Sequence, residues 1–181
     1  TLVHFAACQE AGREDWGNLE YLMDTAFQAG LSVSELSMEN LGWDQTQFVD
    51  LNDQAINHLF KLYPWEWIWE ENFSTFIKPD SQWIEPCWKM LLSNKAILVE
   101  LWKQFPHHSL LLESHAFNPN DRFNGKWVRK PILAREGANI HIIQNNVDCG
   151  EASGSFHFED YDKYGYIIQK WAPTPLHEGM L

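Results

Sequence analysis

The sequence predicts a mixed α/β (α+β) fold whose last third forms an antiparallel lobe, and three observations support this. Residues 1–36 contain a strand-length apolar run, an amphipathic helix and a second strand, which is the length of one βαβ unit. The middle of the chain has the apolar spacing of helices. The last third consists of short apolar runs separated by turn-forming residues, a pattern typical of antiparallel strands.

The composition is that of a folded, acidic protein. Of the 181 residues, 45% are hydrophobic and 21% are charged, so the chain can bury a core as one compact domain or as two small lobes. The formal net charge of −12 argues against a nucleic-acid partner, because affinity for phosphate backbones comes from Lys and Arg. No apolar run approaches the roughly 20 residues that span a bilayer, so we expect no membrane partner.

The cysteines and histidines predict no metal centre. Cys8, Cys87 and Cys149 are far apart, which favours reduced thiols in a cytoplasmic protein over disulfides or a zinc site. The eight histidines are also dispersed, and the two that adjoin (His107 and His108) cannot point the same way from a strand.

The first predicted elements are a strand over residues 2–7, a helix and a strand over residues 31–36. Asp15 is the expected helix cap, and apolar residues recur at spacings of three and four from Trp16 to Phe27. Gly30 is expected to end this helix, because glycine adopts the left-handed conformation that a helix end requires.

The middle of the chain is predicted to be a small hairpin within residues 41–53, followed by helices. Residues 55–62 have helical spacing, and residues 83–105 read as two helices interrupted at residues 93–94. Pro79 lies in the best linker candidate, residues 78–81. We therefore expect two domains, residues 1–78 and 79–181.

The last third is predicted to contain strands separated by turns. The expected strands are residues 110–112, 126–132, 140–143 and 164–171. The expected turns are residues 118–124, the tight loop 135–139 and residues 148–154.

Two lysines are candidate phosphate ligands. Lys130 precedes a short loop that contains Gly137, and such a loop can surround phosphate oxygens with an ammonium and backbone N–H groups. Taken alone, the segment is better explained as an ordinary hairpin with a surface lysine, since a single glycine is weak evidence. Lys95 lies at or just past a helix N-terminus, where a cation costs a few tenths of a kcal/mol unless an anion is present. The chain has neither a GxxxxGK[ST] nor a GxGxxG motif.

Three longer segments carry a resemblance to a known family. Residues 59–67 (LFKLYPWEW), 85–98 (EPCWKMLLSNKAIL) and 130–140 (KPILAREGANI) resemble the glutathionylspermidine synthase family, which includes bacterial acid–amine ligases. The three segments occur in the family's order and at similar spacing, and the similarity extends through almost the whole chain.

The resemblance implies a partial ATP-grasp fold, in which ATP lies between two lobes. Residues 1–78 would be a pre-ATP-grasp subdomain with a βαβ unit, and residues 79–181 the nucleotide-binding side. By position, Lys95 and Lys130 look like the two lysines that hold the ATP phosphates. Gly137 would lie in the flap that covers them, and Gln169 in the strand that meets the adenine.

The implied reaction joins a carboxylate to an amine at the expense of ATP and Mg²⁺, through an acyl phosphate. A glutathione-like peptide and a polyamine are the substrates that the resemblance suggests. The family's magnesium ligands lie upstream of the segment matching Thr1, and a further segment follows the one matching Leu181. We therefore expect an internal fragment, inactive alone, with ATP-binding residues and no metal ligands. The oligomeric state is left open.

The ten tryptophans and the acidic charge leave alternatives open. A non-catalytic, Trp-rich module could bind a polyamine or a glycan through residues such as Trp65, Trp67 and Trp69. A domain without any ligand is a third possibility. Packing of a core where the lobes meet is the favoured explanation of the tryptophans themselves.

Overall fold

The computed structural model describes residues 1–9, 12–78, 82–152, 154–155, 157 and 159–173. It divides the chain into two compact units, Thr1–Met90 and Leu91–Leu181. None of the helices in these described ranges has the length and hydrophobicity that a bilayer crossing requires.

The first unit is built on a parallel sheet. Its elements, in chain order, are β1 (Leu2–Ala7), α1 (Arg13–Gln28), β2 (Ser32–Ser37), β3 (Gly42–Trp43), β4 (Phe48–Val49), β5 (His58–Leu62), α2 (Trp65–Ile68) and β6 (Gln82–Ile84). The strand order is β2-β1-β5-β6, with β3 and β4 as a separate hairpin. β1 and β2 precede and follow α1 in the chain and pair in parallel, so the predicted βαβ unit is confirmed.

Both faces of this sheet are covered, and each has its own core. On one face Val3, Phe5 and Ala7 pack against Leu19 of α1. On the other face a cluster of buried residues surrounds two tryptophans; its members are Ala6, Leu36, Met38, Phe48, Leu59, Trp65, Ile68 and Trp83.

The helix predicted over residues 55–62 is wrong, because this segment contains β5. Leu59 packs into the cluster on one face, whereas Phe60 and Leu62 pack on the face that α1 covers. A strand buried on both faces lacks the alternation of apolar and polar residues, so its apolar spacing imitates a helix.

The boundary between the two units also differs from the predicted one. The expected boundary was residue 78, and residues 79–81 of the predicted linker lie outside the described part of the chain. β6 pairs in parallel with β5, so residues 82–84 belong to the first sheet. The first unit therefore continues to Met90.

The second unit is built on an antiparallel sheet, as the sequence predicted for the last third. In chain order its elements are α3 (Met90–Ser93, at the boundary), α4 (Ala96–Gln104), β7 (Ser114–Ala116), β8 (Lys126–Pro131), β9 (His141–Gln144), β10 (Val147–Glu151), a 3-10 helix (Glu159–Tyr164) and β11 (Tyr166–Lys170). The strand order is β10-β9-β8-β11-β7. One face carries a core of Trp127, Ile143 and Ile168.

Two further predictions in this region are wrong, and one is confirmed. The two helices expected between residues 83 and 105 are present as α3 and α4, separated at residues 94 and 95, although β6 occupies the start of the range. Residues 110–112 form no strand, since Leu110 is 87% exposed. The turn expected at residues 148–154 is instead largely β10, and the chain reverses earlier, at Asn145 and Asn146, which both have positive φ.

Candidate nucleotide-binding site

Lys130 and Gln169 lie on the same face of the second unit's sheet. The register of β8 and β11 places Lys130 opposite Ile167, so Gln169, two residues further along, points to the same side. The Lys130 Nζ donates a hydrogen bond to the Gln169 Oε1 over 2.8 Å. Lys130 is half-buried, and this burial lowers its pKa.

Ser114 of β7 continues the contact beyond Gln169. The Gln169 Nε2 donates to the Ser114 Oγ over 3.1 Å. That hydroxyl donates in turn to the carbonyl oxygen of Leu112 over 2.9 Å. Ser114 is 1% exposed and Gln169 is 7% exposed. Nothing in the sequence indicated Ser114, because a single serine on a three-residue strand carries no pattern.

The backbone amides that follow Gln169 donate hydrogen bonds to neighbouring chain segments. The Lys170 amide donates to the Glu113 carbonyl over 2.8 Å, and the Trp171 amide donates to the Lys126 carbonyl over 3.1 Å. The strand around Gln169 is predicted to meet the adenine. The backbone amides of Lys170 and Trp171 cannot donate to a base while they are paired in this way. The role of Gln169 toward the base stays a prediction.

Lys95 occupies the N-cap position of α4, where the sequence placed it. Its backbone amide donates to the Ile132 carbonyl over 3.0 Å. Its Nζ donates to the Ala134 carbonyl over 2.7 Å. The Asn94 Oδ1 accepts a hydrogen bond from the Ala96 amide over 2.8 Å. The start of α4 is thus fastened to residues 132–134, which follow Lys130.

The loop after residue 134 has the backbone conformation that its glycine predicts. Gly137 is exposed, has a φ of +78°, and has open space where a Cβ would lie. Glycine is therefore needed for the left-handed φ and not for lack of room. Glu136 and Asn139 also have positive φ, and the Ala138 amide donates to the Arg135 carbonyl over 3.0 Å.

The C-terminal half of this loop is held by hydrogen bonds to residues outside it. Asn139 is 1% exposed, and its Nδ2 donates to the Asp162 Oδ1 over 2.6 Å. The Tyr166 hydroxyl donates to the same carboxylate oxygen, and these two hydrogen bonds lower the pKa of Asp162. The Ser155 Oγ donates to the Gly137 carbonyl over 2.7 Å. The sequence indicated none of these three anchors outside the loop.

The structure thus brings the four predicted site residues into one unit. Lys130 and Gln169 are in direct contact, Lys95 reaches the segment between Lys130 and the loop, and Gly137 lies at the exposed tip. Across the ranges that the structure describes, no three His, Cys, Asp or Glu side chains form a group that could hold a metal ion. We assign no residue to Mg²⁺.

The tryptophan-rich segment of the first unit is partly core and partly surface. Trp65 is 3% exposed, whereas Trp67 and Trp69 are 38% and 44% exposed. The Tyr63 hydroxyl donates to the Glu71 Oε1 over 2.6 Å, and burial together with this carboxylate raises the pKa of Tyr63. Trp65 is therefore part of the first unit's own core, Trp67 and Trp69 are exposed, and a core where the lobes meet stays a prediction.

Comparison with known proteins gives a family match and several relatives. Residues 1–181 match the family described as glutathionylspermidine synthase preATP-grasp. A Haemophilus influenzae protein named as an acid–amine ligase is 44% identical over 99% of this chain, which covers 47% of that protein. The bifunctional glutathionylspermidine synthetase/amidase of Escherichia coli is 26% identical over 82% of this chain, covering 28% of that protein. The chain thus spans half or less of the length of these relatives.

Solved structures share this fold, and one of them is described as an ATP-grasp protein. An ATP-grasp RimK-domain protein from Sphaerobacter thermophilus superposes with a TM-score of 0.57 at 9% identity, covering 95% of this chain and 65% of that one. The D-cycloserine synthetase DcsG superposes with a TM-score of 0.56 at 12% identity, covering 94% of this chain and 59% of that one. With its whole length matched by the family, this chain belongs to the glutathionylspermidine synthase preATP-grasp family and has a partial ATP-grasp fold.

Proposed function

We propose that the protein is part of an ATP-dependent carboxylate–amine ligase and that its second unit holds the ATP phosphates. The observation that carries the proposal is the arrangement of two lysines around one segment. Lys130 precedes residues 132–134, and Lys95 is hydrogen-bonded to the same residues. The family membership of the chain and the names of its relatives support a ligase.

The residues of this unit suit phosphate binding by charge and by position. Two ammonium groups neutralise phosphate oxygens, and the backbone amides of the loop around Gly137 can donate to them. Bound ATP supplies a phosphoryl group that converts a substrate carboxylate into an acyl phosphate. An amine then attacks the acyl carbon, phosphate leaves and the amine loses a proton. Catalysis of phosphoryl transfer is mostly positioning and charge neutralisation, which is the role of Lys95 and Lys130.

The substrates are proposed by relationship. Relatives named as glutathionylspermidine synthetase and trypanothione synthetase favour a glutathione-like peptide as the acid and a polyamine as the amine. Mg²⁺ would accompany ATP. Because the described residues form no group that could hold a metal ion, we derive no step through the metal.

Calorimetric titration with ATP tests the phosphate assignment. We expect saturable binding to the protein, and at least about a tenfold loss of affinity in Lys95→Ala and in Lys130→Ala, because each removes a charge-assisted contact. Lys103→Ala is the matched control, since Lys103 is an exposed lysine at the other end of α4 paired with Glu100. Absence of ATP binding, or equal affinities in the three variants, would contradict the assignment.

Titration with spermidine separates this proposal from a polyamine-binding module. The module predicts tight spermidine binding that Trp67→Ala and Trp69→Ala weaken and that Lys130→Ala leaves unchanged. The ligase proposal predicts that ATP binding depends on Lys130 whatever the spermidine result.

A further inference from the structure

We propose that Ser114 is a positioning residue for Lys130 and acts through the side-chain amide of Gln169. This inference rests on the proposed function for its role in ATP binding, and on the hydrogen-bond geometry of the second unit for the relay itself. Three contacts form the relay: Lys130 to Gln169 at 2.8 Å, Gln169 to Ser114 at 3.1 Å, and Ser114 to the Leu112 carbonyl at 2.9 Å.

The relay has one consistent direction. A serine hydroxyl has a single proton, and the Leu112 carbonyl can only accept, so the Ser114 Oγ donates to Leu112 and accepts from Gln169. The group that Gln169 turns toward Ser114 is therefore its NH₂. Its Oε1 is left to face Lys130. The opposite orientation would aim an N–H donor at an ammonium.

Because the relay is buried, the orientation of the Gln169 amide depends on its hydrogen-bond partners. Ser114 and Gln169 are 1% and 7% exposed, so water cannot readily replace either partner. Without the Ser114 hydroxyl, the amide of Gln169 loses the contact that determines its orientation. Lys130, itself half-buried, then loses a fixed acceptor for its ammonium. The serine thus fixes the direction of a group two hydrogen bonds away and the acceptor that stabilises its charged form.

The competing role for Gln169 is recognition of the adenine base. Both hydrogen-bonding ends of its amide are already engaged, and the next two backbone amides bond to Glu113 and Lys126. The two roles predict different nucleotide profiles. A positioning residue affects every ligand that carries phosphates, whereas a base-reading residue affects adenosine and changes the preference for ATP over GTP.

The first experiment measures the chemical reactivity of the Lys130 amine in the absence of nucleotide. Competitive acetylation of the protein over a pH series, followed by peptide mass spectrometry, reports the reactivity of the Lys130 amine. In Ser114→Ala the neutral amine becomes more populated, and we expect labelling at fixed pH to rise roughly three- to tenfold, the equivalent of one lost hydrogen bond. Ser114→Thr keeps a hydroxyl and should restore wild-type labelling. Ser109→Ala, at an exposed serine, is the control.

The second experiment measures ATP, GTP and adenosine binding by calorimetry. Ser114→Ala should weaken ATP and GTP by the same factor and leave adenosine unchanged, with recovery in Ser114→Thr. Unchanged Lys130 labelling in Ser114→Ala overturns the relay. A changed ratio of ATP to GTP affinity assigns Gln169 to the base instead. If the wild-type protein binds no nucleotide, the proposed function fails, and the labelling result alone decides whether the relay exists.

Discussion

The Lys130 ammonium lies on a half-buried part of β8, 2.8 Å from the side-chain oxygen of Gln169. Burial lowers the pKa of this lysine, since the charged form loses hydration. The ammonium that we propose for phosphate binding is thus kept where its charge is disfavoured. Lysines with perturbed pKa values occur often at functional sites, and this agrees with the proposal.

Burying the charged Lys130 ammonium lowers the stability of the folded state. Lys130→Met tests this effect through the pH dependence of the free energy of unfolding. Below its lowered folded-state pKa, Lys130 is charged in both states and the cost is fully present. Between that pKa and 10.5, the unfolded chain binds more protons than the folded one, so the free energy of unfolding rises with pH. Urea unfolding near pH 8 and near pH 10 should therefore show wild type gaining stability relative to Lys130→Met. A constant difference between the two proteins would contradict the burial cost.

At the scale of elements, the loop over residues 135–139 combines exposed residues with hydrogen bonds to residues outside it. Asn139 is hydrogen-bonded to Asp162, and the Gly137 carbonyl to Ser155, while the tip itself is exposed. An exposed loop that is hydrogen-bonded to the rest of the unit at Gly137 and Asn139 is compatible with the flap that the resemblance implies.

Substitution of Gly137 should affect the loop through its backbone conformation. Because its φ is +78°, Gly137→Val forces a β-branched residue into the left-handed region and should cost roughly 1–2 kcal/mol. Gly137→Asn should cost less, since asparagine adopts this conformation more readily. Urea unfolding gives the stabilities, and hydrogen exchange of residues 135–139 reports the loop. Equal losses in the two variants would show that side-chain bulk matters more than φ.

At the scale of the whole molecule, each unit has its own sheet and its own buried cluster. Trp65 and Trp83 belong to the core of the first unit, with ring centroids 5.3 Å apart, and Trp127 belongs to the core of the second. Tryptophans at the core of both sheets account for part of the unusual composition by packing alone. Exposed members such as Trp67 and Trp88 remain available for contacts.

Trp83 and Trp88 lie five positions apart, one buried and one exposed, and their substitution tests how burial determines the contribution of a tryptophan to stability. Trp83 is 8% exposed and packs against Phe48, Trp65 and Phe73, so Trp83→Ala should cost about 3–5 kcal/mol. Trp88 is 56% exposed, and Trp88→Ala should change stability by no more than about 0.5 kcal/mol. Denaturant unfolding of both variants is the measurement. A large loss in Trp88→Ala would reveal a packing role that its exposure hides.

Much of the fold was predictable because local patterns match the elements. Residues 2–7 and the amphipathic spacing of α1 predicted the βαβ unit, and the turns of the last third predicted antiparallel pairing. Prediction failed at β5, whose two faces are both buried, and at β10, whose polar residues look like a turn. In both places the neighbouring strands, and not the segment's own residues, determine the conformation.

The sequence by itself determined the family, and it indicated two lysines and the glycine of the loop as candidate site residues. These inferences depend on residue type and on spacing along the chain. Only the tertiary structure decided what these residues contact. Lys130 reaches Gln169 because antiparallel pairing brings residues 39 positions apart to one face of the sheet. Ser114 joins them from a third strand. Such contacts depend on strand order and register, which no local pattern of residues specifies.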